Sequence, residues 1–200
     1  PVMMRSVVLA SRPLGNPVEA YFALSEAPLP AVTKSSFLER NDFISLDACF
    51  RNWVSEDLGD EVLPAMAFNE PVMGPVLAEI IESQHTDNQV GDKLMARFSW
   101  QPHTLSYASD FIAQLPAMLS FNPSAYLGSL GDTGLSAYFG MTDSAKPSEQ
   151  DCVLISGAGG AVGTIVGQIA KLSGAQVVGL VGSHTKADWL CNTLGYDAAV

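Results

Sequence analysis

The pattern of apolar and polar positions is most regular in the last fifty residues. Cys152-Val153-Leu154-Ile155-Ser156 is a short apolar run with β-branched residues, as expected of a buried parallel strand. From Thr164 to Leu172 the apolar residues Ile165, Val166, Ile169 and Ala170 fall at helical spacing. Lys171 then sits in the last turn and Ser173-Gly174 offers a stop. Val177-Val178-Gly179-Leu180-Val181 reads as a second strand. Lys186 to Leu194 reads as a second helix closed by Gly195, and Asp197-Ala198-Ala199-Val200 as the approach to a third strand. The order β-α-β-α-β predicts the start of a doubly wound sheet. Two or three parallel strands alone would leave both faces and an edge open. The chain is therefore expected to be a fragment of a longer protein or an incomplete gene product.

Upstream the pattern differs. Residues 1 to about 120 read as mostly β, because short apolar runs such as Phe37-Leu38, Val76-Leu77 and Ile80-Ile81 are broken by Pro, Gly, Asn and Asp. Val90 to Ala96 reads as a turn followed by a short strand. Pro123 through Gly140 reads as helical, with Pro123 in a first turn and Asp132 or Thr133 capping the next helix.

Charge sharpens the division. Between Glu39 and Asp92 stand 12 acids against Arg40 and Arg51 alone, whereas Asp151 to Val200 holds three acids and two lysines. This shift predicts two domains, residues 1–122 and 123–200. The acidic stretch is either solvated surface or a docking face. With 10 basic and 21 acidic residues the net charge is −11, which argues against nucleic acid or an anionic membrane as a partner. An apolar content of 48% excludes a disordered chain. No apolar run reaches the ~18 residues of a membrane span. Cys49, Cys152 and Cys191 are widely spaced and form no metal pair or disulfide framework, so a reducing cytoplasmic compartment is expected. His85, His103 and His184 are scattered, and no metal site is expected.

The chemistry concentrates in Ser156-Gly157-Ala158-Gly159-Gly160-Ala161-Val162-Gly163, which joins strand to helix. Glycines here allow a tight turn and close approach of the backbone to a pyrophosphate, while the helix offers free N–H groups and its positive end. The glycines at three-residue intervals are Gly157, Gly160 and Gly163. The strand before, the helix after and a second strand following predict a dinucleotide site. A tight β-α turn without ligand is the alternative. At the end of the second strand an NAD site places an acid, but this chain reads Val181-Gly182-Ser183-His184-Thr185-Lys186, with no acid before Asp188. Lys186 with Ser183 suits a 2′-phosphate, which favours NADPH over NADH. Otherwise Lys186 is a solvated residue in the first turn of a helix, an unfavourable place for a cation.

Leu154 to Lys171, with Ala137-Tyr138-Phe139-Gly140 before it, resembles the zinc-independent branch of the medium-chain dehydrogenase/reductases. The likeness is to the prostaglandin reductase family of NADP-dependent alkenal double-bond reductases. Ser11-Arg12-Pro13, Glu26-Ala27-Pro28-Leu29-Pro30, Ser45-Leu46-Asp47 with Arg51, and Val90-Gly91-Asp92 extend it over nearly the whole chain in order. The resemblance implies an α/β protein: a GroES-like, partly open β-barrel domain, then the start of a Rossmann domain. It implies zinc-independent reduction of the C=C bond of α,β-unsaturated ketones and aldehydes by NADPH, and a homodimer when full length. Gly157, Gly160, Ala161, Val162 and Gly163 would line the pyrophosphate, and Lys186 would match the 2′-phosphate lysine. Ser136 would stand beside the nicotinamide and bond its carboxamide, or else be an ordinary helix-start hydroxyl. Pro71 to Pro75 holds no His-Glu pair of the kind the zinc-dependent branch uses.

Two departures matter. Cys49 takes the place of a family tyrosine that borders the active site, so a phenol is missing there. Family members are also considerably longer. Two other functions stay open: a quinone reductase of the zeta-crystallin type, and a truncated, non-catalytic nucleotide-binding scaffold.

Overall fold

The computed structural model describes residues 2–55, 65–107, 112–116 and 121–200. The chain divides into two units, Pro1–Ser124 and Ala125–Val200. Glu56, Asp57, Asp60 and Glu61 of the acidic stretch lie outside the described residues.

The first unit is antiparallel. Strands β1 (Met3–Leu9) and β2 (Phe22–Pro28) form one ladder. The larger sheet is made of β3 (Ser36–Ile44), β4 (Met73–Ser83), β5 (Lys93–Ser99), β6 (His103–Tyr107) and β7 (Ala113–Gln114), in the order β6-β3-β4-β5-β7. The runs at Val76-Leu77 and Ile80-Ile81 thus share one strand. Its residues Val76, Leu77 and Ala78 are all buried, as suits the middle of a sheet covered on both sides. Two bulges in β3, at Leu38/Glu39 and Asn41/Phe43, bend that strand. The ladder and the larger sheet are joined by backbone bonds: Val7 N–H to Trp100 O at 3.0 Å, Val72 N–H to Val7 O at 2.8 Å, and Trp100 N–H to Val72 O at 2.6 Å. The sheets therefore curve onto each other without closing into one barrel.

Part of the acidic stretch is not solvated surface. Glu39 is buried in β3, and the Glu79 carboxylate receives Lys93 at 2.7 Å and Arg40 at 3.3 Å.

A short helix, α1 (Phe50–Trp53), packs on this unit through Phe50, which stacks on Trp100 with centroids 4.7 Å apart. Two arginines clasp it to the preceding loop from opposite sides. Arg12 donates to Val54 O at 3.2 Å, and Arg51 donates to Gly15 O at 2.8 Å and to the Ser55 hydroxyl.

A 3-10 turn at Pro123–Leu127, in the stretch expected to be helical, carries the chain from the first unit into the second. Helix α2 (Asp132–Phe139) follows and runs into a π-helical turn, Gly140–Ala145. Its cap is Gly131 rather than Asp132 or Thr133. A Cβ at Gly131 would stand 2.7 Å from Tyr126 O, so glycine is needed at the cap, and Thr133 spends its hydroxyl on Gly128 O at 3.0 Å.

Strands β8 (Cys152–Ser156), β9 (Gln176–Leu180) and β10 (Ala198–Ala199) are parallel, in the order β10-β9-β8. Helices α3 (Ala161–Leu172) and α4 (His184–Leu194) connect them. The core gathers Met141, Ile155, Ala158, Ala170, Val177, Leu190 and Tyr196, with Val166 and Ile169 packed against it. One face of the sheet is therefore covered, not open as the short strand count suggested. On the other face Cys152, Leu154 and Ser156 are exposed, so β8 is not buried on both sides. Helix α4 begins two residues earlier than its apolar pattern, because Ser183 caps it, and ends at Gly195 with φ 74°.

Asp197 fastens the end of this unit. Its carboxylate receives Lys171 Nζ at 2.8 and 2.9 Å and the Val177 amide at 2.6 Å. The Lys171 bond first, then the Val177 amide, hold its pKa below the usual aspartate value. The stability this adds is full above the ordinary aspartate pKa and is lost as pH falls through the lowered one. Asp197→Asn should therefore lower the urea midpoint at neutral pH and flatten its decline towards acid. A variant with the wild-type acid profile would show that the pair adds nothing.

Candidate functional site

The loop between β8 and α3 is shaped by what glycine permits. Gly157 has φ +61°, the left-handed region that side chains disfavour, and its carbonyl accepts the Gly160 amide at 2.9 Å. Ala158 is buried and donates its amide to Leu180 O at 3.1 Å, which ties the loop to the end of β9. A Cβ at Gly163 would stand 2.5 Å from Gly157 O and 2.8 Å from Ala158 Cα. Only glycine lets the first turn of α3 rest directly on the loop.

The cap of α3 is Gly160, in extended conformation, with no side-chain cap bond among the described residues. The N–H groups at Ala161, Val162 and Gly163 belong to the first turn, where a helix has no partners of its own to offer. With the positive end of the helix dipole behind them they suit an anion. The space beside two glycines of the flanking loops is open: a Cβ at Gly157 or Gly182 would meet nothing within 4 Å.

Lys186 arrives from the far side of β9. It is the third residue of α4, and its amide donates to the Ser183 hydroxyl oxygen at 3.4 Å. Its side chain lies over the glycine loop. A Cβ at Gly159 would stand 3.1 Å from Lys186 Cδ and 3.5 Å from Val181 Cγ1. Among the described residues Lys186 has no acidic partner. Ser183 accepts one bond as the cap and keeps its own proton to donate outward. The arrangement is a row of free amides beside an uncompensated ammonium.

The structure thus brings Gly157, Gly160, Ala161, Val162, Gly163, Ser183 and Lys186 together. Ser136 lies within α2 rather than at a helix start, on an exposed side, while Gly134 and Ala137 face inward. Cys49 belongs to the first unit, exposed at the N-cap of α1. That Gly159 and Val181 seat the Lys186 stem was not visible in the sequence. Nor was the place of Tyr196, whose hydroxyl reaches Gly163 O at 2.7 Å.

Residues 5–113 match the family described as the N-terminal domain of oxidoreductase. This chain belongs to the medium-chain dehydrogenase/reductase family. It is 34% identical over 198 residues to the NADPH-dependent curcumin reductase of Escherichia coli, covering 98% of this chain and 56% of that protein. It is 34% identical over 190 residues to prostaglandin reductase 1 of Oryctolagus cuniculus, covering 92% of this chain and 50% of that protein. The crystal structure of CurA in complex with NADPH from Vibrio vulnificus superposes with a TM-score of 0.88 at 32% identity, over 98% of this chain and 57% of that one. The chain spans about half the length of the curated relatives it matches. Among its described residues no helix is long and apolar enough to cross a membrane.

Within this family member the seating of α3 is the tightest point of the site. Gly163→Ala should cost stability towards the upper end of about 1–3 kcal/mol, because both obstructing groups are backbone. Urea denaturation checks it. A loss below about 0.5 kcal/mol would show that the helix can lift away freely.

Proposed function

We propose that this chain carries the NADP-binding loop of an oxidoreductase that reduces the carbon–carbon double bond of α,β-unsaturated ketones or aldehydes. The observation that carries the reading is the Lys186 stem lying over Gly159, the stem of a cation that has no acidic partner among the described residues. Gly157, Gly160, Ala161, Val162 and Gly163 would hold the pyrophosphate through backbone amides. Lys186 and Ser183 would hold the 2′-phosphate by charge-assisted hydrogen bonds. No acid stands between Val181 and Lys186 to bind a free ribose hydroxyl pair instead.

When bound, the reduced nicotinamide would supply a hydride for the substrate β-carbon, and a proton from solvent would complete the reduction at the α-carbon. The residues of this chain bind and orient. Ser136 is exposed and has a hydroxyl to offer the carboxamide. Cys49 stands where the resembled family carries a tyrosine, so this chain offers a smaller side chain and no phenol at that position. Reduction without zinc fits Pro71 to Pro75, which carries no His-Glu pair. The same reading implies a cytoplasmic homodimer.

Lys186→Ala is expected to weaken NADPH by about 1–3 kcal/mol, the range for hydrogen bonds to charged groups, and to leave NADH nearly unchanged. Equal losses for both cofactors would mean that Lys186 does not read the 2′-phosphate. In the same assay the purified protein should oxidise NADPH in the presence of a medium-chain enone. Oxidation with an ortho-quinone and none with the enone, or NADPH binding with no turnover at all, would overturn the double-bond assignment.

A further inference from the structure

The phosphate end of α3 is built from residues that make poor helix. Gly160, Gly163 and Gly167 occupy its cap and first two turns, and glycine is the weakest helix former after proline. Helix ends fray. Amides that bind a phosphate must nevertheless hold their directions.

A residue far along the chain answers this conflict. Tyr196 lies 33 positions beyond Gly163, and its hydroxyl donates to the Gly163 carbonyl at 2.7 Å in a buried setting. The side chain enters where glycines make room. A Cβ at Gly167 would stand 2.1 Å from the Tyr196 ring carbon Cζ, and one at Gly179 would stand 3.1 Å from Cε1. The backbone on either side is held as well. The Tyr196 amide donates to Leu190 O at 3.1 Å, and Asp197 is tied to Lys171 and Val177. Burial pushes the phenol's pKa up, so it stays protonated and remains a donor.

We propose that Tyr196 is a positioning residue for nucleotide binding, pinning the Gly163–Thr164 peptide and thereby fixing the first-turn amides of α3. The proposal rests on the reading of this loop as the NADP site. The phenol donates to the Gly163 carbonyl and its oxygen meets the Gly167 amide, so one hydroxyl holds two peptides of the helix. Holding the first of them keeps the turn from opening, so the amides at Ala161, Val162 and Gly163 converge on one point. Gly167 then has a second use: its missing side chain admits the ring that steadies the turn before it.

The test is Tyr196→Phe, which fills the same space without the hydroxyl. Affinities for NADP and NAD are measured by titration, together with the melting temperature and amide hydrogen exchange at Thr164 and Gly167. Both dinucleotides share the pyrophosphate. Both should therefore weaken together by about fivefold, the worth of one net hydrogen bond, with their ratio unchanged and exchange at the two amides faster. Lys186→Ala, by contrast, should change the ratio. If wild type binds NADP and the variant binds both cofactors as tightly as before, the proposal falls even if the melting temperature drops. A loss confined to NADP also overturns it. A wild type that binds neither cofactor overturns the NADP reading and this inference with it.

Discussion

Close approach of backbone to backbone at Gly163 governs the second unit. The first turn of α3 rests on Gly157 O and Ala158 Cα, at separations that leave no room for a single added carbon. From that contact follow the burial of Ala158, the bond from its amide to Leu180 O, and the direction in which the free amides of α3 point. The same economy of side chains recurs at Gly167 and Gly179, which together admit Tyr196. A helix rich in glycine is intrinsically weak, and here its stability comes from packing on the sheet and from Tyr196 rather than from propensity.

The first unit solves a different problem. Its strands leave α1 only four residues long, too short to be stable alone. Arg12 and Arg51 bind it reciprocally to the loop around Gly15, and the aromatic stack of Phe22, Phe50 and Trp100 fixes its angle. Trp53 on its other side lies under the Arg97 guanidinium, 3.8 Å from the ring centroid. Cys49 thus stands on a helix that is held firmly. The matching pieces Ser11-Arg12-Pro13 and Arg51, separated in sequence, belong to one clasp in space.

Much of this was legible in the sequence because it depends on local pattern. The strand at Cys152–Ser156, the stop at Ser173-Gly174 and the closing Gly195 follow from apolar spacing and glycine chemistry within a few residues. The glycine loop and the lysine beyond the second strand were legible for the same reason. What was not legible depends on distant partners. Gly131 caps α2 in place of Asp132, at a point where the Tyr126 carbonyl leaves no room for a Cβ. Glu39 sits buried although it belongs to an acidic stretch, because Ser36 to Glu39 of β3 are covered on both faces of the sheet, next to a bulge. Tyr196 meets Gly163 and Gly167 only through folding. A small residue at both i and i+4 on the buried side of α3 was the one local sign that something large packs there.

The central claim is that the amides at the start of α3 and Lys186 form one site that reads a 2′-phosphorylated dinucleotide. It is tested most directly by following backbone amide signals of the protein while NADPH and then NADH are added. The account predicts that NADPH moves the signals of Gly159 to Gly163 and of Ser183 to Lys186 together. NADH should move the first group and leave the second nearly still. Signals that move elsewhere, or a response at Ser183 to Lys186 that is the same for both dinucleotides, would contradict it.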